Sequence, residues 1–175
     1  MKIYIIEDWQ SKVNTNELKE NWATNIIERM FDSIQIKKDG RGKPYIVNED
    51  KFINWAHTDC FLVIAFSKLG HIGVDVEATN IPYDESLYGW ILHEHEKYKL
   101  NRGTLFSEIW TRKEAILKFI GEGINDNMCD LNSYAPEYNV ISFSFNDLSI
   151  SVCSEYMSDS FEIVYDSLFI RQKLL

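Results

Sequence analysis

The sequence predicts an α+β fold, and three features of its hydrophobic patterning support this prediction. Strand-like segments follow one another directly between residues 53 and 77, which favours an antiparallel sheet. Two longer stretches, 15–31 and 104–120, repeat their apolar residues at helical spacing. The 175 residues are 45% hydrophobic and 14% aromatic, so one compact domain has the material for a substantial core.

The N-terminal part begins with a strand and an amphipathic helix. Residues 2–6 are mostly β-branched and aromatic, as is typical of a strand. The helix predicted at 15–31 carries its apolar residues on one side and is expected to pack on a sheet. A short strand at 34–36 leads into a basic loop at 37–44, whose two glycines allow the backbone to approach an anion closely.

The rest of the chain alternates between strand and helix patterns. Ordered along the sequence, the predicted elements are strands at 52–56, 61–66 and 72–77, helices at 87–100 and 104–120, and strands at 140–145, 148–153 and 161–164. The helix at 104–120 has the clearest apolar side and ends at Gly121. The segment 168–175 is either a last strand or a tail.

The charge of the chain limits its partners. A formal net charge of −9 and a pI of about 4.9 argue against a protein that coats nucleic acid or an anionic membrane. A local basic pocket for a phosphorylated ligand is still possible. The basic residues available to it are Arg41, Lys43, Lys97, Lys99, Arg102, Arg112, Lys113 and Lys118.

Cysteine usage and hydropathy predict a cytoplasmic protein. Cys60, Cys129 and Cys153 form no close pair, unlike the cysteines of a disulfide framework or a zinc site. The apolar run after Met1 stops at Glu7, too early for a signal peptide. No stretch approaches the roughly 18 apolar residues of a membrane span.

The stretch from Gly73 to Glu77 is an acidic strand. Val74 and Val76 alternate with Asp75 and Glu77, so the valines are expected to face a core and the carboxylates to share the opposite face. Two carboxylates this close repel each other unless a cation or a proton lies between them. Taken alone, the pattern is more often an exposed acidic edge strand than a metal site.

The helix at 104–120 offers a third carboxylate. Trp110, Glu114 and Lys118 follow at four-residue intervals and therefore lie on one helix face. A surface ion pair between Glu114 and Lys118 accounts for this spacing equally well. The helix becomes informative only in combination with the acidic strand.

Four motifs occur in order: Gly-Lys-Pro at 42–44, Asn-Trp-Ala-His-Thr at 54–58, Gly-Val-Asp-Val-Glu at 73–77, and Trp-Thr-Arg-Lys-Glu-Ala at 110–115, followed by Lys118. In this combination the chain resembles a 4′-phosphopantetheinyl transferase of the surfactin-synthetase-activating type. Such enzymes move the phosphopantetheine arm of coenzyme A to a serine of a carrier protein. The resemblance runs from about residue 40 to 123. The acidic strand and the helix motif are fairly specific, whereas the other two motifs are individually weak.

The resemblance implies a magnesium site made by Asp75, Glu77 and Glu114. Carboxylate oxygens suit Mg²⁺, which keeps its remaining positions for water and phosphate. Glu114 also corresponds to the residue that helps to remove the proton from the carrier serine. Lys118 corresponds to the lysine that contacts the phosphate and the leaving group.

The resemblance also implies a binding site for the nucleotide end of coenzyme A. Lys43 and His57 correspond to positions that contact it, and Glu96 lies where the family often has a further acidic residue. The implied fold is a single phosphopantetheinyl-transferase-like domain, 1–175, with approximate lobes 1–70 and 71–175. Each lobe would pair a long helix with a small antiparallel sheet, and the cofactor would lie in the cleft between them.

Two departures from the family pattern bear on this site. The usual Ser-His-Ser turn is here Ala56-His57-Thr58, and Asp59 follows, whose charge would repel a 3′-phosphate. Few residues precede Gly42, so the first lobe is expected to be short. Weaker affinity for coenzyme A, or completion of the site by another chain, would follow.

The expected partners are coenzyme A and an acyl or peptidyl carrier protein of primary or secondary metabolism, with no nucleic acid and no membrane. Two other functions stay open. One is a magnesium-dependent nucleotide pyrophosphohydrolase that uses the same carboxylates. The other is a catalytically silent protein that binds coenzyme A or a carrier. The complete set of acidic residues with Lys118 favours the transferase, because converging carboxylates without a role cost stability.

Overall fold

The structure is a computed structural model and describes residues 1–9, 22–31, 34–47, 49–124, 127–156 and 161–165. Its strands are β1 (Lys2–Glu7), β2 (Ile36–Lys38), β3 (Pro44–Ile46), β4 (Phe52–His57), β5 (Phe61–Ser67), β6 (Ile72–Ala78), β7 (Asn139–Phe145), β8 (Leu148–Ser154) and β9 (Glu162–Tyr165). Its helices are α1 (Trp22–Met30), α2 (Glu85–Tyr88), α3 (Glu94–Leu100) and α4 (Phe106–Ile120), with 3₁₀ turns at Gly89–Ile91 and Met128–Asp130. The first part of the predicted helix at 15–31 and the segment 168–175 lie outside the described residues.

Two sheets form the centre of this α+β structure. The first has the order β4-β5-β1-β9, and the second has the order β6-β8-β7 and is antiparallel throughout. In the first sheet β9 runs parallel to β1, with Lys2 opposite Glu162. This sheet is therefore mixed, where an antiparallel one was predicted. Of the strands predicted between residues 53 and 77, β4 and β5 pair antiparallel, whereas β6 pairs with β8 in the second sheet. The strands β2 and β3 form a separate hairpin.

The two sheets enclose one core and each carries a helix on its outer face. Between the sheets, Ile5 and Val63 of the first pack with Val74, Val76 and Ile150 of the second. On the far side of the first sheet, α1 buries its apolar side in a second core. On the far side of the second sheet, α4 packs through Ala115 and Ile116. The described chain thus stacks helix, sheet, sheet and helix.

The helical region after β6 is broken where a single helix was predicted at 87–100. His93 caps α3, since its ring accepts a hydrogen bond from the backbone of His95 while the Glu96 side chain accepts one from the His93 backbone. This reciprocal capping fixes a new helix start after the 3₁₀ turn. The helix α4 ends as predicted at Gly121, which has a positive φ of 78°. No helix in the described ranges has the length and apolar character needed to cross a bilayer.

The contact between α4 and β8 is partly polar. The hydroxyl groups of Ser107 and Ser149 form a hydrogen bond with an oxygen–oxygen distance of 2.8 Å, and those of Thr111 and Ser151 form another, also of 2.8 Å. All four side chains are buried. Because each hydroxyl has a partner, the helix approaches the sheet without leaving these groups unsatisfied.

Candidate active site

The acidic face of β6 lies against α4, and Gly73 makes this contact close. A Cβ atom on Gly73 would lie 2.1 Å from the carbonyl oxygen of Ala115 and 2.5 Å from the backbone nitrogen of Phe119. Only glycine fits, so the helix rests on the bare backbone of the strand. The residues that precede Ala115 and Phe119, Glu114 and Lys118, are thereby brought beside the acidic strand.

Asp75 and Lys118 form the central ion pair of the site. Lys118 Nζ donates a hydrogen bond to Asp75 Oδ1 at 2.7 Å, and the two side chains are 30% and 9% exposed. The other carboxylate oxygen, Asp75 Oδ2, is buried and has no hydrogen-bond partner in the part of the chain that the structure describes. Burial raises the pKa of Asp75, and the positive charge of Lys118 opposes this rise.

Glu114 and Glu77 extend this charged region. Burial and the negative charge of Asp75 raise the pKa of Glu114 to about 7, with a smaller contribution from Glu77. Burial and Asp75 also raise the pKa of Glu77. These mutual effects indicate that the three carboxylates share one electrostatic environment. A partly buried carboxyl that titrates near neutrality suits a general base.

The chemistry of this group suits a divalent cation. Asp75 Oδ2 and Glu114 Oε1 are buried, and no described residue makes a hydrogen bond to either. Hard carboxylate oxygens are the ligands that Mg²⁺ prefers. In their present arrangement, the described acidic, histidine and cysteine side chains contain no group of three placed to hold a metal ion. A common ligand set for Asp75, Glu77 and Glu114 would need other side-chain positions, and in the present ones Asp75 Oδ1 is bound by Lys118 Nζ.

A basic cavity of about 270 Å³ adjoins the ion pair. Its walls come from the β2–β3 loop, from β4 and from the C-terminal end of α4. The lining residues are Lys38, Arg41, Gly42, Lys43, Pro44, Asn54, Trp55, Lys118, Gly121, Glu122 and Gly123. The lining contains four basic side chains and one acidic side chain, Glu122, so the cavity suits an anionic ligand. Gly42 has a positive φ of 84° and lies in the loop that forms one wall.

Lys43 and Lys118 both line this cavity. Lys43 Nζ donates a hydrogen bond to the carbonyl oxygen of Phe119, and burial lowers the pKa of this lysine. His57 is not among the lining residues and lies exposed at the end of β4. It is nevertheless near enough to Asp75 for its charge to act on the pKa of that carboxyl.

Several of the basic residues considered for a phosphate-binding pocket contact other protein groups. Arg112 donates hydrogen bonds to the carbonyl oxygen of Ser133 and to Ser142 Oγ, and its guanidinium lies 4.1 Å from the ring centroid of Tyr134. Lys99 stacks on the same ring, with Nζ 4.3 Å from the centroid. Lys97 Nζ lies 3.2 Å from Glu94 on the helix surface. These side chains do not line the basic cavity.

Glu96 and Lys113 form a fully buried pair away from the cavity. Lys113 Nζ lies 2.9 Å from Glu96 Oε2, and both side chains are 0% exposed. Lys113 also donates to the carbonyl oxygens of Met128 and Leu131, while Glu96 Oε1 accepts from the backbone of Ser133. The pair ties α3 and α4 to the loop that follows the second 3₁₀ turn, so its evident role is structural.

Asn54 is a site residue for which the sequence analysis assigned no role. Its Oδ1 accepts a hydrogen bond from the backbone nitrogen of Val74 at 3.0 Å, and the side chain is 3% exposed. The bond connects β4 to the open edge of β6, one residue before Asp75. The only hint in the sequence was that Asn54 begins the motif at 54–58. The periodicity of the strand gives no reason to expect a buried asparagine at this position.

Comparison with known proteins identifies the family. A model of the 4′-phosphopantetheinyl transferase superfamily matches residues 71–165, so the chain belongs to this superfamily. The match covers β6, α4 and the three C-terminal strands. It therefore includes Asp75, Glu77, Glu114 and Lys118.

Curated relatives are named as phosphopantetheinyl transferases. A Synechocystis protein named as a 4′-phosphopantetheinyl transferase, slr0495, is 30% identical over 122 residues, covering 64% of this chain and 48% of the relative. The 4′-phosphopantetheinyl transferase gsp of Aneurinibacillus migulanus is 31% identical over 99 residues, covering 53% and 40%. The L-aminoadipate-semialdehyde dehydrogenase-phosphopantetheinyl transferase of Candida glabrata is 23% identical over 185 residues, covering 90% and 72%. The chain spans about half the length of the Synechocystis relative.

Proposed function

We propose that this protein transfers the 4′-phosphopantetheine group of coenzyme A to a serine of an acyl or peptidyl carrier protein, in a magnesium-dependent reaction. The observation that carries the proposal is a pair of buried oxygens, on Asp75 and Glu114 next to Lys118, that have no hydrogen-bond partner among the described residues. Membership of the superfamily and the names of the relatives support the reaction type.

The proposed binding mode places the pyrophosphate of coenzyme A between the carboxylates and the basic cavity. Asp75, Glu77 and Glu114 would hold Mg²⁺, which neutralises the pyrophosphate charge and polarises the phosphorus under attack. Lys43 and His57 would bind the nucleotide end, with Lys43 inside the cavity and His57 outside it. Lys118 would leave Asp75 and contact the phosphate of the leaving group.

The proposed reaction is a displacement at phosphorus. The carrier serine oxygen forms a bond to the phosphorus that bears the pantetheine arm, and the bond from that phosphorus to the bridging pyrophosphate oxygen breaks. Adenosine 3′,5′-bisphosphate leaves with that oxygen. Glu114 receives the serine proton, directly or through a water.

A two-lobed organisation, with approximate lobes 1–70 and 71–175 of one domain, forms part of the proposal. The cavity draws Lys38, Arg41 and Trp55 from the first part and Lys118 and Gly123 from the second, which supports a ligand held between the two. We place the reaction in the cytoplasm, in agreement with three described cysteines that are all free.

The intact mass of a purified apo carrier protein tests this function. The carrier is incubated with this protein, coenzyme A and Mg²⁺, with EDTA and the Glu114→Gln variant as controls. A gain of one phosphopantetheine unit that both controls abolish is the expected result. Coenzyme A binding without transfer to any carrier would indicate a silent binding protein. Coenzyme A cleavage without a modified carrier would indicate a pyrophosphohydrolase.

A further inference from the structure

Among the described residues, His57 is held by two aromatic rings. Its imidazole is exposed at the end of β4, and no described residue makes a hydrogen bond to its ring. The ring centroid lies 5.3 Å from that of Trp9 and 5.0 Å from that of Trp22, at interplanar angles of 61° and 81°. These are edge-to-face contacts, which the charge distribution of aromatic rings favours.

The two tryptophans are themselves fixed. Their rings stack at 3.8 Å and an interplanar angle of 20°. Trp9 is 4% exposed, and its Nε1 donates a hydrogen bond to the carbonyl oxygen of Thr58 at 2.9 Å. The same residue therefore contacts the His57 ring and anchors the backbone that follows it. Trp9 comes from the segment after β1 and Trp22 from the start of α1, so three separate segments meet here.

Such an arrangement is relevant to binding because an exposed side chain normally samples several rotamers. A ligand that uses the side chain must then restrict it, and this ordering reduces affinity. Aromatic contacts restrict the imidazole before the ligand arrives. They also leave both ring nitrogens available to the ligand, since neither is used in a hydrogen bond within the described residues.

We propose that Trp9 and Trp22 form an aromatic clamp that orients the His57 imidazole toward the phosphate-bearing nucleotide end of coenzyme A. The two tryptophans are positioning residues, because they act through His57 and not through the reacting atoms. The inference rests on the proposed function. It gives a role to two residues that lie outside the four motifs and upstream of the matched family region.

A double-mutant cycle tests the clamp. Trp22 is the residue to change, since Trp9 belongs to the core. Coenzyme A affinity is measured by calorimetry for Trp22→Leu and Trp22→Phe. Each substitution is made once in the wild-type background and once together with His57→Ala. Trp22→Leu is expected to weaken binding about tenfold and Trp22→Phe to restore most of it. With His57→Ala present, Trp22→Leu is expected to cause no further loss.

Trp90→Leu provides the matched control. Trp90 is 52% exposed on a 3₁₀ turn, and its Nε1 donates to the carbonyl oxygen of Leu87. The same change of residue at this position should leave coenzyme A affinity unaltered. Thermal denaturation of every variant checks that affinity is compared between folded proteins.

A ligand-free measurement examines the contact directly. Ring currents from two tryptophans should shift the His57 ring-proton signals in the NMR spectrum, and Trp22→Leu should move them by several tenths of a ppm.

Unchanged signals, or additive losses of affinity in the cycle, would overturn the clamp. If the wild type binds coenzyme A and the variants follow the expected cycle, but no carrier protein is modified, the proposed transferase function is wrong and the clamp still holds. Absence of coenzyme A binding would overturn both.

Discussion

Lys118 and Asp75 are 43 residues apart in the sequence, yet Lys118 Nζ lies 2.7 Å from Asp75 Oδ1 and joins the last turn of α4 to the middle of β6. The ammonium group lies against the buried carboxylate and opposes the rise in its pKa that burial causes. We therefore expect binding of a divalent cation and a pyrophosphate to change the partner of this lysine from Asp75 to phosphate.

Lys118→Ala should reduce the transfer rate far more than the stability. The variant loses a cation close to the leaving group, which should lower the rate by about 100-fold or more. The melting temperature should change by only a few degrees, because Asp75 can take up a proton when the lysine is absent. Lys97→Ala, at a surface pair with Glu94, is the control and should alter neither quantity. Loss of folding in Lys118→Ala would show that the pair is chiefly structural.

Glu114→Gln should change how stability depends on pH in metal-free buffer. The pKa of Glu114 is raised from 4.5 to about 7, so between these values the folded protein holds more protons than the unfolded chain. The contribution of this group to the free energy of unfolding therefore falls as pH rises through this window. At pH 8 the variant should be more stable than the wild type by roughly 1–3 kcal/mol. Urea denaturation with EDTA at pH 5 and pH 8 measures this difference, and equal pH dependence of the two proteins would contradict it.

Magnesium affinity should rise with pH up to neutrality. A metal ligand must be deprotonated, and below its pKa of about 7 Glu114 keeps its proton. Calorimetry should give binding at pH 5.5 that is weaker than at pH 8 by about tenfold or more. Titrations in buffers of different ionisation enthalpy should reveal proton release near pH 6.5. An affinity that is constant over this range would remove Glu114 from the ligand set.

Gly73→Ala should destabilise the fold, although the change adds one methyl group. The new Cβ would meet the backbone of α4 at 2.1 Å from the Ala115 oxygen, and neither backbone can yield easily. We expect a loss of about 3 kcal/mol or more in the free energy of unfolding. Gly40→Ala is the matched control, since no atom lies within 4 Å of its added Cβ. Equal stability of the two variants would show that α4 does not rest on β6 as described.

The buried pair of Glu96 and Lys113 predicts strong coupling between two substitutions. Lys113→Met leaves the Glu96 carboxylate buried without its cation and should cost about 3–5 kcal/mol. The double variant Glu96→Gln and Lys113→Met should recover part of this loss, because it removes both charges. Urea denaturation measures the wild type, the two single variants Glu96→Gln and Lys113→Met, and the double variant. Additive effects would mean that the two residues act independently.

The sequence predicted β1, β4 to β9 and α4 well because their patterning is strong. The strand predicted at 34–36 lies instead at Ile36–Lys38, and β3 was not predicted. The alternation in β6 placed Val74 and Val76 in the core, where they are 0% and 1% exposed. It also placed Asp75 on the opposite face but did not predict that α4 covers this face, which leaves Asp75 only 7% exposed. A period of two assigns side chains to faces and contains no information about what packs on them.

The basic candidates illustrate a second limit. Composition identified cations but not their partners, and Lys113 proved to be fully buried with three acceptors. Helical spacing does not distinguish a lysine that faces a ligand from one that reaches loop carbonyls. The Trp9 contact with His57 was equally inaccessible, because it joins residues 48 positions apart through side chains alone.

The parallel pairing of β9 with β1 has a consequence for biosynthesis. The edge of β1 that faces β9 has no strand partner until residues 162–165 have been synthesised. During translation the nascent first sheet therefore presents an unpaired edge next to exposed apolar side chains, the condition under which chains associate wrongly. The pairing also closes a loop of about 160 residues, a contact order that slows folding. The first sheet can therefore be completed only after residues 162–165 have been synthesised.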